Sequence, residues 1–131
     1  MNTWDNLPNA KRIDWVLADV KRNPKKWGAA RGAAYAAAYA AARDAAWAAA
    51  YGVAWDAARG VAWDAAWDAA RAAAWAAAWA AAWGACAALL AWDYTGDILS
   101  MEPDAVRLLA SAGDHAAVLM LPAVIVKHNK E

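Results

Sequence analysis

A tetrapeptide repeat constrains the fold of this chain more than any other feature. Over residues 27–83 every fourth position holds Trp, Tyr or Arg, and the positions between them hold Ala, Gly, Val or Asp. The large residues of this register are Trp27, Arg31, Tyr35, Tyr39, Arg43, Trp47, Tyr51, Trp55, Arg59, Trp63, Trp67, Arg71, Trp75, Trp79 and Trp83. Because Ala is the strongest helix former and Pro is absent from the repeat, the pattern predicts α-helix.

The period of four residues does not suit one long straight helix. On a helix of about 3.6 residues per turn, each step of four residues rotates the stripe by roughly 40°. An unbroken helix over the repeat would be roughly 85 Å long, whereas a compact chain of this length has a radius of gyration near ~14 Å. We therefore predict a helical hairpin with a break near Gly52 or Gly60, because glycine is the weakest helix former of the repeat.

The aromatic residues of the repeat need to be covered. The register holds eleven Trp and Tyr side chains, and their full burial corresponds to roughly 50 kcal/mol of hydrophobic free energy as an upper bound. Most of these rings are therefore predicted to lie in a core or an interface. Because the drifting stripe places them on more than one face, the sequence also predicts a homo-oligomer.

Charge divides the chain into three segments of one predicted domain. The 13 basic and 13 acidic residues balance, but residues 1–26 carry a net charge of +3, residues 27–86 are neutral and residues 87–131 carry −3. We interpret the first segment as a basic capping helix and the second as the tetrapeptide-repeat helices. The third is predicted to be a C-terminal helical cap, so the whole chain is predicted to be all-α.

Proline and glycine residues mark expected helix ends and interruptions in the two flanking segments. Pro8 is expected to begin the first helix and Pro24 to follow its end. Pro103 is expected to begin a later helix that Gly113 terminates. Pro122 lies in the last apolar stretch, where it is expected to kink or divide the final helix.

The four arginines of the repeat occupy the same register as its aromatic residues. Each has an aromatic residue four positions before it and four positions after it, which favours cation–π stacking worth ~0.5–2 kcal/mol. Arg59 and Arg71 also have an Asp three residues earlier, at a spacing that permits a salt bridge. Arg31 and Arg43 lack such an Asp, and Asp44 is expected to point off the face of Arg43, so these two arginines are the better candidates for holding an anion.

Guanidinium groups beside stacking surfaces are typical of sites that hold a planar base and its phosphate. The sequence thus predicts a binding protein that sequesters a nucleotide-like small molecule without turnover. The candidate ligand-binding residues are Arg31, Tyr35, Tyr39, Arg43, Trp47, Arg59, Trp63, Arg71 and Trp75. The alternative is a structural or protein-interaction module whose aromatic repeat is purely an oligomerisation core.

No arrangement of catalytic or metal-binding residues is apparent in the sequence. His115 and His128 are the only histidines, neither is near Cys86, and no spacing resembles a zinc site. A glycine-rich phosphate loop is also missing. We therefore predict no enzymatic activity, no cofactor and no metal, and we expect Cys86 to be a small buried residue.

Composition also sets expectations for partners and location. The charge balance offers no basic surface for duplex nucleic acid. The longest apolar run, residues 116–126, is too short to span a bilayer, and the polar start of the chain lacks the apolar core of a signal peptide. We expect a cytoplasmic protein that contacts neither duplex nucleic acid nor membrane.

Two stretches within residues 41–126 are distinctive. One is the WDAAWDAAR block, and the other is LLAWDYTGDILSMEPDAVRLLASAGDHAAVLMLPAVIV. Together they resemble a group of alanine- and tryptophan-repeat proteins from tailed phages and bacteria. The resemblance implies a phage or prophage setting, and hence the cytoplasm of an infected or lysogenic bacterial host. By analogy with small phage proteins that bind nucleotide signals, the ligand would be a host defence signal and the protein an anti-defence sponge.

Overall fold

The chain folds into helices joined by short connections. The computed structural model describes residues 3–34, 40–56, 59–73 and 76–128, without the side chains of residues 40–41, 55–56 and 76. Within these residues the chain is all-α, as predicted, and no strand is present. The helices are α1 (Ala10–Arg22), α2 (Pro24–Ala34), α3 (Ala40–Asp56), α4 (Gly60–Ala73), α5 (Ala76–Ala91), α6 (Thr95–Leu99), α7 (Pro103–Ser111) and α8 (His115–His128).

The tetrapeptide repeat is distributed over α2, α3, α4 and α5, whose lengths lie between 11 and 17 residues. Over such lengths a drift of roughly 10° per residue accumulates to only ~110–170°, so each helix can keep one face toward the core. Gly60 begins α4, close to a predicted break. Helix α3 ends at Asp56, so the boundary between α3 and α4 lies within the predicted range Gly52–Gly60. Gly52 itself lies inside α3, because burial of Ala50 and Ala54 on the same helix outweighs a glycine cost of about 1 kcal/mol.

The buried stripe of the repeat is made of alanine. It consists of the alanines that directly precede a large register position, and its fully described members are buried except Ala42, which is half-buried. The buried members are Ala30, Ala34, Ala46, Ala50, Ala54, Ala62, Ala66, Ala70, Ala78 and Ala82. Small side chains let helix backbones approach closely, so the large register residues lie along the edges of the helix contacts.

The aromatic residues of the register therefore differ in burial. Trp27, Trp63 and Trp83 are buried. The half-buried rings packed against the core are Trp47, Trp67 and Trp79. Tyr51 is 50% exposed. A single chain thus covers most of the described rings, because its eight described helices present several faces where one hairpin would present two.

Helices α4 and α5 form an antiparallel hairpin. Trp63 of α4 meets Trp83 of α5 with ring centroids 4.8 Å apart, and Trp67 meets Trp79 at 6.0 Å, both edge-to-face. This hairpin lies C-terminal to the predicted break near Gly52–Gly60, where α3 ends at Asp56 and α4 begins at Gly60. Edge-to-face pairs of this kind contribute ~0.5–1.5 kcal/mol beyond the area they bury.

Helices α5 and α8 form the centre of the fold. Helix α8 packs against α2, α3, α5, α6 and α7, and residues 116–124 are buried. Pro122 lies inside this continuous helix, so of the two expected outcomes, a kink or a division, the helix is not divided there. Tertiary packing on every side of α8 offsets the roughly 3 kcal/mol that an interior proline costs.

The C-terminal end of α5 is held by side chains from distant segments. The carbonyl oxygen of Ala88 accepts a hydrogen bond from Thr95 Oγ1 at 3.0 Å. That of Leu89 accepts one from Asn9 Nδ2 at 3.1 Å, and that of Leu90 accepts one from Arg59 Nη1 at 2.6 Å. The last carbonyls of a helix lack backbone partners within it, although the Ala88 oxygen also accepts the Trp92 N–H at 3.0 Å. The Arg59 cation also suits the negative end of the helix dipole. Helix α5 accordingly ends at Ala91, and residues 95–99 form a separate helix.

Most of the helix ends that proline and glycine predicted are confirmed. Helix α1 ends at Arg22 before Pro24, Pro103 begins α7, and Gly113 adopts a left-handed φ of 95° after α7. Pro8 does not begin a helix, because α1 begins at Ala10.

Candidate ligand-binding site

A cleft of about 280 Å³ lies where α2, α3 and α5 meet. It is lined by Arg31, Arg43, Asp44, Trp47 and Ala80. Three of these residues belong to the predicted site, and two of them are the arginines that the sequence marked as the better candidates for an anion. The structure therefore brings a guanidinium pair and an indole ring together from two helices that are separate in sequence.

The geometry of α3 explains the arrangement of the cleft. Arg43 and Trp47 are four residues apart on α3 and are therefore neighbours on one helix face. The Ala46 and Ala50 side chains of the same helix are turned into the core, which leaves the adjoining edge of α3 to the cleft. Ala80 contributes α5 backbone and a single methyl group, so the space remains open.

The cleft carries a net positive formal charge. Its lining contains two guanidinium groups and one carboxylate, a formal charge of +1. Arg43 Nη2 lies 3.6 Å from Asp44 Oδ1, and the side chains are 26% and 78% exposed. The expectation that Asp44 points away from Arg43 was therefore wrong, since the long arginine side chain reaches back to its neighbour. Arg31 and Arg43 also have other interactions in the chain, but a guanidinium offers several N–H donors and can serve more than one acceptor.

The Trp47 ring is held in place by a neighbouring buried ring. It packs edge-to-face on the fully buried Trp83, with ring centroids 5.8 Å apart at an interplanar angle of 63°. Trp47 itself is half-buried and lines the cleft. A ring held in this way gives a planar ligand a stacking surface with little loss of side-chain entropy on binding.

The other two repeat arginines do not line this cleft. Arg59 Nη1 donates to the Leu90 carbonyl oxygen and to Asp93 Oδ1, at 2.6 and 3.0 Å, and the side chain is 19% exposed. The Arg71 guanidinium lies 4.8 Å from the Trp67 ring centroid and 5.8 Å from that of Trp79. Arg59 therefore caps a helix, while Arg71 stacks on rings.

The expected contacts of these two arginines are only partly realised. The predicted cation–π contact of Arg71 with the residue four positions before it, Trp67, is confirmed. Among the described ion pairs, none joins Arg71 to Asp68. Arg59 pairs with Asp93, and the side chain of Asp56 lies outside the described residues.

The remaining predicted site residues divide into two groups. Trp63 is buried in the core, between the Tyr51 and Trp83 rings, at centroid distances of 5.5 and 4.8 Å. Tyr35 and Tyr39 lie outside the described residues, and so does Trp75.

Sequence reasoning missed two residues of the cleft. Asp44 adjoins a predicted arginine, so its proximity to Arg43 was a usable signal. Ala80 carried no signal, because it is one of many identical alanines and only the packing of α5 against α2 and α3 places it in the cleft.

Cys86 is buried, as predicted. Burial raises the pKa of its thiol far above the ordinary value, and the negative charge of Asp14 acts in the same direction. The thiolate that a nucleophile or metal ligand requires is therefore strongly disfavoured.

Among the described residues, no group of three His, Cys, Asp or Glu side chains is placed to hold a metal ion. None of the described helices combines the length and apolarity needed to cross a membrane. No protein-family model, curated protein or solved structure matches the chain.

Proposed function

We propose that this chain is a non-catalytic binding protein that sequesters a nucleotide-like small molecule in the cleft between α2, α3 and α5. The observation that carries the proposal is the convergence of Arg31, Arg43 and Trp47 on one space. In this arrangement the guanidinium groups bind a phosphate, and the indole ring stacks on a base.

The magnitudes of these contacts set the affinity we expect. A charge-assisted hydrogen bond contributes ~1.5–3 kcal/mol and base stacking on an aromatic ring ~1–3 kcal/mol. Two arginines and one tryptophan therefore supply about 4–9 kcal/mol before ordering costs. A micromolar dissociation constant corresponds to ~8 kcal/mol, so micromolar binding requires all three side chains.

The size of the cleft supports a small ligand. Its volume of about 280 Å³ is at the lower end of the ~300–1,000 Å³ typical of small-molecule pockets. The cleft has room for one base and its phosphate, and a larger ligand would extend into solvent.

Titration calorimetry with a panel of adenine and guanine mononucleotides tests the proposal directly. Arg43→Ala should weaken binding at least about tenfold, because it removes a charge-assisted bond of ~1.5–3 kcal/mol. Arg71→Ala is the matched control, since Arg71 occupies the same register but does not line the cleft, and it should leave affinity within about twofold. The proposal fails if the wild-type chain binds no nucleotide, or if both variants lose binding equally.

A spectroscopic measurement provides a second test. Protein purified from cells should carry an absorbance excess at about 260 nm that is removed by denaturation and desalting, if a nucleotide with the micromolar affinity estimated above co-purifies. The variant Arg43→Ala, purified in the same way, should lack this excess.

The resemblance to phage and bacterial repeat proteins supports a biological setting for this activity. In that setting the chain acts in the cytoplasm of an infected or lysogenic host and removes a nucleotide defence signal. Expression of the wild-type chain should then raise the plating efficiency of a phage on a host that signals with nucleotides. Expression of Arg43→Ala should not.

A second candidate function is protein interaction, through self-association in particular. The observation that favours it is a group of exposed apolar side chains on α3 and α4, in which Val61 is 72%, Tyr51 50% and Val53 38% exposed. The accessible surface of the chain, 6620 Å², is about the ~6,700 Å² expected for a folded monomer of this mass, so a covering subunit is not needed to complete the fold.

Light scattering on the purified chain distinguishes these possibilities. A homo-oligomer held by this surface should dissociate when Val61→Asp is introduced, because a buried unpaired carboxylate is costly. A mass of 13.9 kDa for the wild-type chain would contradict the interaction proposal and leave the ligand proposal standing.

A further inference from the structure

Four aromatic rings of the repeat form an unbroken series of contacts between the cleft and the surface. The Trp47 ring meets the Trp83 ring with centroids 5.8 Å apart. Trp83 meets Trp63 at 4.8 Å, and Trp63 in turn meets Tyr51 at 5.5 Å. All three distances lie in the ~4.5–7 Å range of contacting aromatic rings. We refer to these four residues as the ring chain.

The two ends of the ring chain are accessible, and its middle is not. Trp47 is half-buried and lines the cleft, while Tyr51 is 50% exposed. Trp63 and Trp83 are buried. A reactive species in solution therefore reaches an end of the ring chain first, and the two buried rings connect one end with the other.

Indole and phenol rings are among the side chains that lose a single electron most readily. Electron transfer between two rings falls off steeply with the gap between their edges, so it is fast between rings in contact. We propose that the ring chain conducts electrons from Tyr51 to Trp47, so that one-electron oxidation at the cleft ends as a tyrosyl radical at the surface. This activity goes beyond nucleotide binding and does not depend on it, because no ligand takes part.

Trp83 favours onward transfer because it cannot retain the positive charge cheaply. An indole that has lost an electron is a radical cation, which is stabilised when its N–H proton passes to an acceptor. Trp83 Nε1 is buried, and no described residue accepts a hydrogen bond from it. Burial also disfavours the charged form of any group. The charge on Trp83 is therefore neutralised by an electron from the next ring.

Tyr51 is the end at which the charge leaves the protein. A phenol loses its proton together with its electron, and at an exposed position water accepts that proton. The complete step begins when an oxidising radical, such as the carbonate radical anion, takes one electron from Trp47 and becomes carbonate. An electron from Tyr51 then restores Trp47 by way of the two buried rings. The net change is one radical reduced, one neutral tyrosyl radical formed and one proton released to water.

Pulse radiolysis of the full chain without nucleotide tests whether Tyr51 is the end point. The azide radical oxidises indoles in preference to phenols near neutral pH, so the indolyl absorbance should appear first and decay as the tyrosyl absorbance rises. The rate should not depend on protein concentration. Tyr51→Phe should remove a larger share of the tyrosyl signal than its matched control Tyr94→Phe. Tyr94 is also 50% exposed and donates to Asp114, but no described ring contact includes it. An equal or larger loss in Tyr94→Phe overturns the proposal.

The variant Trp63→Phe tests the route. Phenylalanine keeps a ring in the core, but an oxidised indole does not take an electron from it, so the conversion of indolyl to tyrosyl radical should slow. Trp67→Phe is the matched control, because Trp67 contacts Trp79 and not the ring chain, and it should leave the rate unchanged. Trp47 and Tyr51 are also one turn apart on α3. An unchanged rate in a folded Trp63→Phe would mean direct transfer along α3, and the proposal would be wrong.

Mass spectrometry after steady exposure to the carbonate radical anion tests the consequence for the cleft. In the wild-type chain Tyr51 should be modified and Trp47 largely spared. In Tyr51→Phe, which changes a half-exposed residue and should fold normally, oxidised Trp47 should increase, whereas in Tyr94→Phe it should not. If Trp47 is oxidised to the same extent in all three proteins, the ring chain does not move the oxidation away from the cleft, and the proposal is overturned even if Trp63→Phe fails to fold.

Discussion

The two halves of the repeat use the same residue in different ways. In α2 and α3, Arg31 and Arg43 meet at a cleft beside Trp47. In the hairpin of α4 and α5, Arg59 caps a helix end and Arg71 stacks on two rings. All four arginines have aromatic residues four positions before and after them in sequence, so this local pattern does not determine their role.

What differs between the halves is the helix that packs opposite. In the hairpin, α5 lies antiparallel to α4 and supplies the Trp79 ring that Arg71 contacts and the Leu90 carbonyl oxygen that Arg59 contacts. At the cleft, α5 contributes the small Ala80 to the lining, which leaves a space of about 280 Å³ beside Arg31 and Arg43. The residues that the opposite helix supplies therefore distinguish the two settings of the repeat arginines.

The substitution with the largest expected effect on stability tests whether the α4–α5 half of the repeat stabilises the fold. Trp83 is fully buried and contacts Trp47 and Trp63, so Trp83→Ala should lower the free energy of unfolding by about 3–5 kcal/mol. Urea denaturation followed by circular dichroism measures this change. Trp67→Ala, at a half-buried ring of the same hairpin, should cost less. Equal costs would show that burial does not separate these positions.

The next effect concerns the cap on α5. Arg59→Ala removes the hydrogen bonds to the Leu90 carbonyl oxygen and to Asp93 and the cation at the helix C-terminus. We expect a loss of about 1.5–3 kcal/mol in the free energy of unfolding, because hydrogen bonds from charged groups contribute that much. Nucleotide affinity should not change under folding conditions. A loss of binding without a loss of stability would place Arg59 with the cleft arginines.

Arg71 should give a smaller change of the same kind. Its guanidinium is stacked on Trp67 and Trp79 but the residue is exposed, and cation–π contacts at exposed sites contribute about 0.5–1 kcal/mol. Arg71→Ala should therefore lower the urea midpoint slightly with no change in the slope of the denaturation curve. A loss as large as that of Arg59→Ala would mean that Arg71 has a further partner.

Local physical chemistry accounts for the part of the fold that the sequence predicted. A high alanine content predicts helix whatever the helix packs against. Pro24, Pro103 and Gly113 set helix ends through their own backbone geometry. Burial of Cys86 followed from its place among the small residues of the repeat. These features depend on a few neighbouring residues, and so they can be read without knowing the partner helices.

The features that were not predicted depend on distant contacts. Asn9 donates to the carbonyl oxygen of Leu89, 80 residues away, and Arg59 to that of Leu90, 31 residues away. The position of the hairpin turn is equally non-local, because successive tetrapeptides are nearly equivalent and packing chooses among them. For the same reason the sequence grouped all four arginines as one site, and only two of them line the cleft.

The smallest expected effect on stability is also the most informative for the comparison. Arg43 lies at the cleft, and its described ion pair is with the exposed Asp44, a type of pair that contributes only ~0–1 kcal/mol. Arg43→Ala should therefore change the free energy of unfolding by less than about 0.5 kcal/mol, since Ala is also the better helix former. The measurement is urea denaturation of Arg43→Ala beside Arg59→Ala under identical conditions. If the two losses are equal, both halves of the repeat use arginine structurally, and the distinction drawn from the cleft is wrong. If Arg43→Ala keeps its stability while nucleotide affinity falls about tenfold, the same substitution at two equivalent register positions separates folding from binding.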